Sequence, residues 1–251
     1  MAEFLMAPSS RSIGFSARIA AALAVKLPPL WLKLQFVHDE HRAFELVRSC
    51  AQRILELGSC HVRVLNPESI PTDGAVMLVS NHVSIADAAV LLAALPIDFR
   101  FVAGHGYAAY PLLGAAIRRA SANIVNRGSW RSRADSGQAM VDALAGGRSL
   151  LVFPEGTTAD DGTMLPFRNG PFRAAARTVR PVVPIAIRGT REMFPPNAIR
   201  LANVPVEIEI LPALTSADHS RDAIFDLRDR AAAAIRARVD VSQRQDAAAN
   251  L

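Results

Sequence analysis

Lysine is nearly missing from this 251-residue chain: Lys26 and Lys33 are the only two, so the formal net charge of +5 is carried almost wholly by arginine. Arginine grips phosphate bidentately, which points to phosphorylated substrates, anionic lipids or an acidic partner protein. Aromatic residues make up only 6% of the chain. The arginines are scattered, with no recognition-helix pattern, zinc-finger spacing or comb of aromatics for stacking bases, and this argues against nucleic acid as a partner. Cysteine is reduced to Cys50 and Cys60, ten positions apart. That spacing fits no metal or redox motif and implies two reduced thiols in a cytosolic setting. There is no Walker loop, no Gly-x-Ser-x-Gly elbow and no His-Glu-x-x-His pair, so neither a nucleotide cradle, a serine nucleophile nor a metal site is expected.

What is present is apolar. Hydrophobic residues account for 51% and mean hydropathy is +0.19, a profile that suits an Ala/Leu/Val-rich α/β protein in contact with lipid. The length allows one large domain with a short appendage. After a polar leader over residues 1–12 comes "IGFSARIAAALAVKLPPLWLKLQF", residues 13–36, broken by Arg18, Lys26, Lys33 and Pro28-Pro29. A clean transmembrane helix needs ~20 uninterrupted apolar residues, so this stretch reads as a kinked membrane-embedded or interfacial segment whose cations snorkel to headgroups. A buried N-terminal helix packed on the domain is the competing reading. No small-residue cleavage site follows, which makes it a poor signal peptide.

From residue 39 the pattern becomes regular. The spacing predicts an amphipathic helix over 39–58, then strands at 61–65 and 75–80, a helix at 85–94, a strand at 99–103, a helix at 111–120 and a strand at 122–126. A helix at 132–145, a strand at 149–154, a helix at 170–178, strands at 182–187 and 204–211 and a last helix at 219–239 complete the series. Short apolar strands alternating with helices argue for an α/β fold around a mixed, largely parallel sheet flanked by helices. The expected organisation is a leader with membrane-associated helices over 1–60, a catalytic domain over 61–240 and a disordered tail over 241–251.

In an open α/β sheet, reactive groups collect where strands end and helices begin. "AVMLVSNHVSIADAAVLL", residues 75–92, places His82 and Asp87 at such a point, five positions apart. Asp87 can come round to accept an imidazole N–H, fix the tautomer and stabilise the imidazolium that forms when the other nitrogen takes a proton. A helix-capping histidine beside an unrelated aspartate is the plainer alternative. No serine or cysteine stands out as a nucleophile, so the activated group is expected to be a substrate hydroxyl. A second cluster, "SLLVFPEGTTADDG" at 149–162, runs a strand into Pro154, Glu155, Gly156, Thr157 and Thr158, where glycine and threonine suit phosphate or glycerol oxygens. In "ANIVNRG" a strand ends on Arg127, placed for a charge-assisted fork on phosphate. "VVPIAIRG" puts Pro184 inside an apolar strand, which suggests an edge position or a special wall.

In this order the four elements resemble the glycerolipid acyltransferase family, in particular the bacterial 1-acylglycerol-3-phosphate acyltransferases. The likeness runs from Val76 to Ala186: Asn81-His82 with Asp87, then Gly114 to Arg127, then Phe153-Pro154-Glu155-Gly156-Thr157, then Val183-Pro184-Ile185-Ala186. "LPFRNGPF", 165–172, falls where the family carries a Phe, a basic residue and a small-residue helix start. The resemblance implies transfer of a fatty-acyl group from a thioester of coenzyme A or acyl carrier protein to the sn-2 hydroxyl of 1-acylglycerol 3-phosphate, at the cytoplasmic face of the inner membrane. It implies His82 as general base with Asp87 orienting it, and Arg127 on the acceptor phosphate. Glu155, Gly156 and Thr157 would position the glycerol, and Val183, Pro184 and Ile185 would wall the acyl region. No cofactor beyond the thioester co-substrate is required; membrane lipids, the lysophospholipid acceptor and acidic acyl carrier protein, for which Arg118, Arg119, Arg131 and Arg133 are suited, are the implied partners. One departure stands out: where related enzymes often place a lysine after a "FVA"-like strand, this chain has Gly104 and then His105, an exposed loop histidine rather than a catalytic one. The rival acceptor is therefore lyso-ornithine lipid, and a non-catalytic lipid-binding protein is the alternative from another class.

Overall fold

The computed structural model describes residues 10–104, 121–125, 130–195 and 201–249. Two N-terminal helices, α1 (Ser10–Phe36) and α2 (Glu40–Gly58), lead into strand β1 (Val62–Leu65). Then come β2 (Met77–Ser80), α3 (Ala86–Ala94), β3 (Arg100–Gly104), β4 (Ser121–Val125), α4 (Trp130–Ala145) and β5 (Leu150–Val152). The chain closes with α5 (Gly170–Arg177), β6 (Val182–Arg188), the short α6 (Thr190–Met193), β7 (Val206–Ile210) and α7 (Arg221–Ala249). The predicted helix over 111–120, with Gly114, Arg118 and Arg119, lies outside the described residues, as do His105 and Arg127.

Seven strands form one sheet in the order β1-β7-β6-β2-β5-β3-β4. Every neighbouring pair runs parallel except β6 with β7, which is antiparallel. The mixed, largely parallel sheet expected from the sequence is the sheet observed. Its centre is apolar on both faces, as a parallel sheet covered by helices requires: β2, β5 and residues Val182 to Ile187 of β6 are buried throughout. The pleat sends alternate residues to opposite sides. Leu78, Leu151, Val183 and Ile185 join Phe15, Leu34, Phe44 and Leu91 on the α1/α2/α3 side. Met77, Val79, Leu150 and Val152 join Leu144, Phe172, Leu227 and Ile235 on the α4/α5/α7 side.

Pro184 corrects one expectation. It sits in β6, which is flanked by β7 and β2 and is not an edge strand. On the β7 side the chain bulges, with Leu214 paired to Val182 and Leu211 N–H donating to the Pro184 carbonyl at 2.9 Å. A residue's N–H and C=O point to the same side of a strand, so the missing proline donor falls at this irregular stretch and costs no regular ladder bond.

Helix α1 continues through Pro28 and Pro29. The carbonyls those prolines leave without a partner belong to Ala24 and Val25, both exposed. One face of α1, with Phe15, Ile19, Ala22, Leu30 and Leu34, is buried, while Ile13, Val25, Trp31, Leu32 and Phe36 are exposed. The helix thus packs on the domain and still carries a second apolar face; Ile13–Phe36 is long and apolar enough to cross a membrane by length and composition, with 22% of it buried. Helix α2 is capped by Asp39, whose side chain accepts the Arg42 N–H, and ends on Ser59 in the left-handed region. At the other terminus the structure corrects the expected frayed tail: α7 runs to Ala249, because "QRQDAAA" consists of residues that tolerate or favour helix.

Candidate active site

Strands β2 and β5 are parallel neighbours, so the segments that follow their carboxyl ends, 81–87 and 153–157, emerge side by side. This adjacency assembles the site. His82 is 5% exposed and Asp87 fully buried. The imidazole Nδ1 lies 2.9 Å from Asp87 Oδ2. The same oxygen accepts the main-chain N–H of Val83 at 2.8 Å and of Ser84 at 2.9 Å. Three donors on one oxygen fix the carboxylate, and with it the ring; Asp87 Oδ1 is buried and accepts no hydrogen bond among the described residues. With Nδ1 facing a carboxylate, proton transfer with a substrate falls to Nε2.

Glu155 reaches this unit from β5. Its Oε1 accepts the main-chain N–H of His82 at 2.7 Å and its Oε2 accepts that of Leu165 at 2.6 Å. The sequence suggested a residue holding glycerol; the structure shows a carboxylate, 3% exposed, that fixes the backbone beneath the base. Burial pushes the Glu155 carboxyl above the usual range, against the two main-chain bonds and His82, which pull it down.

Three supports were not foreseen from the sequence. The Asn81 side chain pairs with the main chain of Ile187, donating to its carbonyl at 3.0 Å and accepting its N–H at 2.9 Å. This ties the exit of β2 to β6. The Ser84 hydroxyl donates to the Phe194 carbonyl and accepts the Ala86 N–H. The Phe153 ring stacks on His82 with centroids 4.1 Å apart and planes 16° apart. Apart from Ala86, each partner is distant in the chain, so the only sequence signal was proximity of Asn81, Ser84 and Phe153 to the motif residues.

Of the other expected site residues, Gly156 has φ +80°, a left-handed backbone that glycine alone adopts without strain. Thr157 is exposed beside it. Val183, Pro184 and Ile185 are buried in the sheet interior, next to β2 in register with Leu78, Val79 and Ser80. Gly104 ends β3. Among the described residues, no group of three or more His, Cys, Asp or Glu side chains is placed to share a metal ion. The arrangement amounts to an oriented imidazole, held at ring and backbone, at the carboxyl edge of a parallel sheet.

Several known proteins resemble this chain. A family model described as Acyltransferase matches residues 61–188. The chain is 26% identical over 172 residues to the 1-acyl-sn-glycerol-3-phosphate acyltransferase of Borreliella burgdorferi, covering 68% of this chain and 69% of that one. It is 34% identical over 120 residues to the lyso-ornithine lipid O-acyltransferase of Pseudomonas aeruginosa, covering 48% of this chain and 45% of that one. The crystal structure of the 1-acyl-sn-glycerophosphate (LPA) acyltransferase PlsC from Thermotoga maritima shares the fold, with a TM-score of 0.74 at 20% identity, covering 93% of this chain and 96% of that one.

Proposed function

The chain belongs to the acyltransferase family, and from that premise we propose that it moves a fatty-acyl group from an acyl thioester to the sn-2 hydroxyl of 1-acylglycerol 3-phosphate, giving phosphatidic acid. The observation that carries this reading is the His82–Asp87 contact at 2.9 Å at the end of β2. His82 Nε2 takes the proton of the sn-2 hydroxyl as its oxygen attacks the thioester carbonyl. The tetrahedral intermediate then expels the thiolate, which takes the proton back from the imidazolium and leaves as the thiol of coenzyme A or acyl carrier protein. Asp87 holds the tautomer and stabilises the imidazolium. The bond made is an ester, the bond broken a thioester, and the base is regenerated. The relative from Borreliella burgdorferi supports the acceptor. The apolar outer face of α1 supports work at a membrane, on the cytoplasmic side where thioester donors are found.

A lyso-ornithine lipid acceptor is the second reading, favoured by Gly104 at the end of β3 and by the Pseudomonas aeruginosa relative. The test is acyl transfer by detergent-solubilised protein with one acyl thioester and both acceptors in parallel. Product from lysophosphatidic acid is expected, with kcat lowered ~10²–10⁴-fold in His82→Ala, the span general-base catalysis covers. Product from lyso-ornithine lipid alone would move the acceptor, and undiminished turnover in His82→Ala would remove the base.

A further inference from the structure

A phosphomonoester acceptor brings its negative charge to a site that already holds two buried carboxylates, Asp87 and Glu155. The phosphate sits on the carbon next to the one bearing the reacting hydroxyl, so its cation has to lie beside the base. Among the described residues, Arg168 is bonded to the loop after β5 at Glu155, the residue that contacts His82, whereas Arg191 is bonded farther along it, at Ala159 and Asp160. The Arg168 Nε donates to the Glu155 carbonyl at 3.4 Å, while the Glu155 side chain holds the His82 N–H. Its main-chain N–H donates to the Pro154 carbonyl at 3.0 Å. The guanidinium lies over Gly156: a Cβ there would meet Arg168 Nε at 2.8 Å and Cζ at 3.1 Å. The absence of a side chain at Gly156 is what lets the cation come down onto this loop.

Some arginines elsewhere are answered by carboxylates, as Arg188 is by Glu207 and Glu209 and Arg228 by Asp229, while Arg48 and Arg191 donate to main-chain carbonyls away from Glu155. Arg168 meets main-chain carbonyl alone among the described residues, is exposed, and stands beside the exposed Thr157. We propose that Arg168 binds the phosphate of the acceptor, as a specificity-determining residue of the site; this rests on 1-acylglycerol 3-phosphate being the acceptor. The guanidinium offers two parallel N–H groups to the phosphate oxygens, a fork that matches the doubly charged phosphate and binds less strongly to a zwitterionic headgroup, whose single carboxylate is offset by its own ammonium.

The experiment compares wild type, Arg168→Ala and Arg168→Lys, with KM measured separately for lysophosphatidic acid, lyso-ornithine lipid and acyl-coenzyme A, and with sn-glycerol 3-phosphate as a competing inhibitor. A hydrogen-bonded charge pair contributes about 1.5–3 kcal/mol, so Arg168→Ala should raise KM for lysophosphatidic acid roughly 10–100-fold at tenfold per 1.4 kcal/mol. The inhibition constant for sn-glycerol 3-phosphate should rise by a similar factor, KM for acyl-coenzyme A should stay within about 3-fold, and Arg168→Lys, which keeps the charge without the fork, should recover part of the loss. Equal losses on both acceptors, a loss confined to the acyl-coenzyme A KM, or an unchanged inhibition constant each overturn the assignment. If wild type acylates lysophosphatidic acid and Arg168→Ala does so equally well, the assignment alone falls. If wild type acylates only lyso-ornithine lipid, the acceptor reading falls and the assignment with it.

Discussion

Glu155 shows how much a single side chain can do through the main chain that it holds. Its two oxygens terminate two main-chain donors from different parts of the chain, His82 and Leu165. An amide at this position offers one acceptor and turns an NH₂ toward the other donor. Glu155→Gln should therefore lower stability by about 1–3 kcal/mol, the cost of an unsatisfied buried group. It should also lower kcat well beyond the effect of surface substitutions, because a base displaced by ~1 Å can cost ~10²-fold. The pH dependence follows from the raised carboxyl. The unfolded chain releases this proton first as pH rises, so in the window between the ordinary carboxylate range and the raised native value the folded state binds more protons. Stability from this group is complete below that window and is lost as pH rises through it. The stability difference between wild type and Glu155→Gln, from denaturant titrations at stepped pH, should shrink with rising pH across the window. A difference that widens would contradict the assigned cause.

At the scale of the element, the local rules hold best where packing is uniform and fail where two segments meet. The continuous apolar runs of β2, β5 and β6 mark strands covered on both faces. The end of α5 breaks a rule openly. Val179 has φ +53° and is 81% exposed, with its N–H on the Ala176 carbonyl and the Arg180 N–H on that of Ala175. This helix-closing turn wants glycine, and a β-branched residue in the left-handed region is strained. Val179→Gly should stabilise the protein by about 1 kcal/mol, since the left-handed penalty of ~1–2 kcal/mol is relieved and part is returned as chain entropy. Thermal unfolding should show a higher Tm with acyl transfer unchanged, because Val179 precedes β6 at the end of the sheet opposite His82.

For the molecule as a whole, α1 has two faces with different fates. Phe15, Ile19, Leu30 and Leu34 close the core, and the outer face presents Val25, Trp31, Leu32 and Phe36 among Arg18, Lys26 and Lys33. That combination suits an anionic lipid surface, with apolar insertion and headgroup contact. On adding vesicles containing phosphatidylglycerol, Trp31 fluorescence in a Trp130→Phe background should shift to the blue. Leu32→Ser with Phe36→Ser should weaken partitioning roughly 10-fold or more, given ~1.5–3 kcal/mol for each fully buried side chain. Partitioning unaffected by the double substitution would place the contact elsewhere.

The chain's order of apolar strands and helices was legible in the sequence, because periodicity is a local property and survives in any context. So was the pairing of His82 with Asp87, whose partners lie within one turn. The family blocks carried the acyl-transfer reading as far as a sequence can. Tertiary structure decided the rest: that β2 and β5 are neighbours, which puts Glu155 under His82 across 73 positions; that Asn81 ties to Ile187 across 106; and that Pro184 is central. These follow from which strands lie side by side. Strand order is set by the shared burial of both sheet faces and leaves no mark in the residues adjacent to the motif.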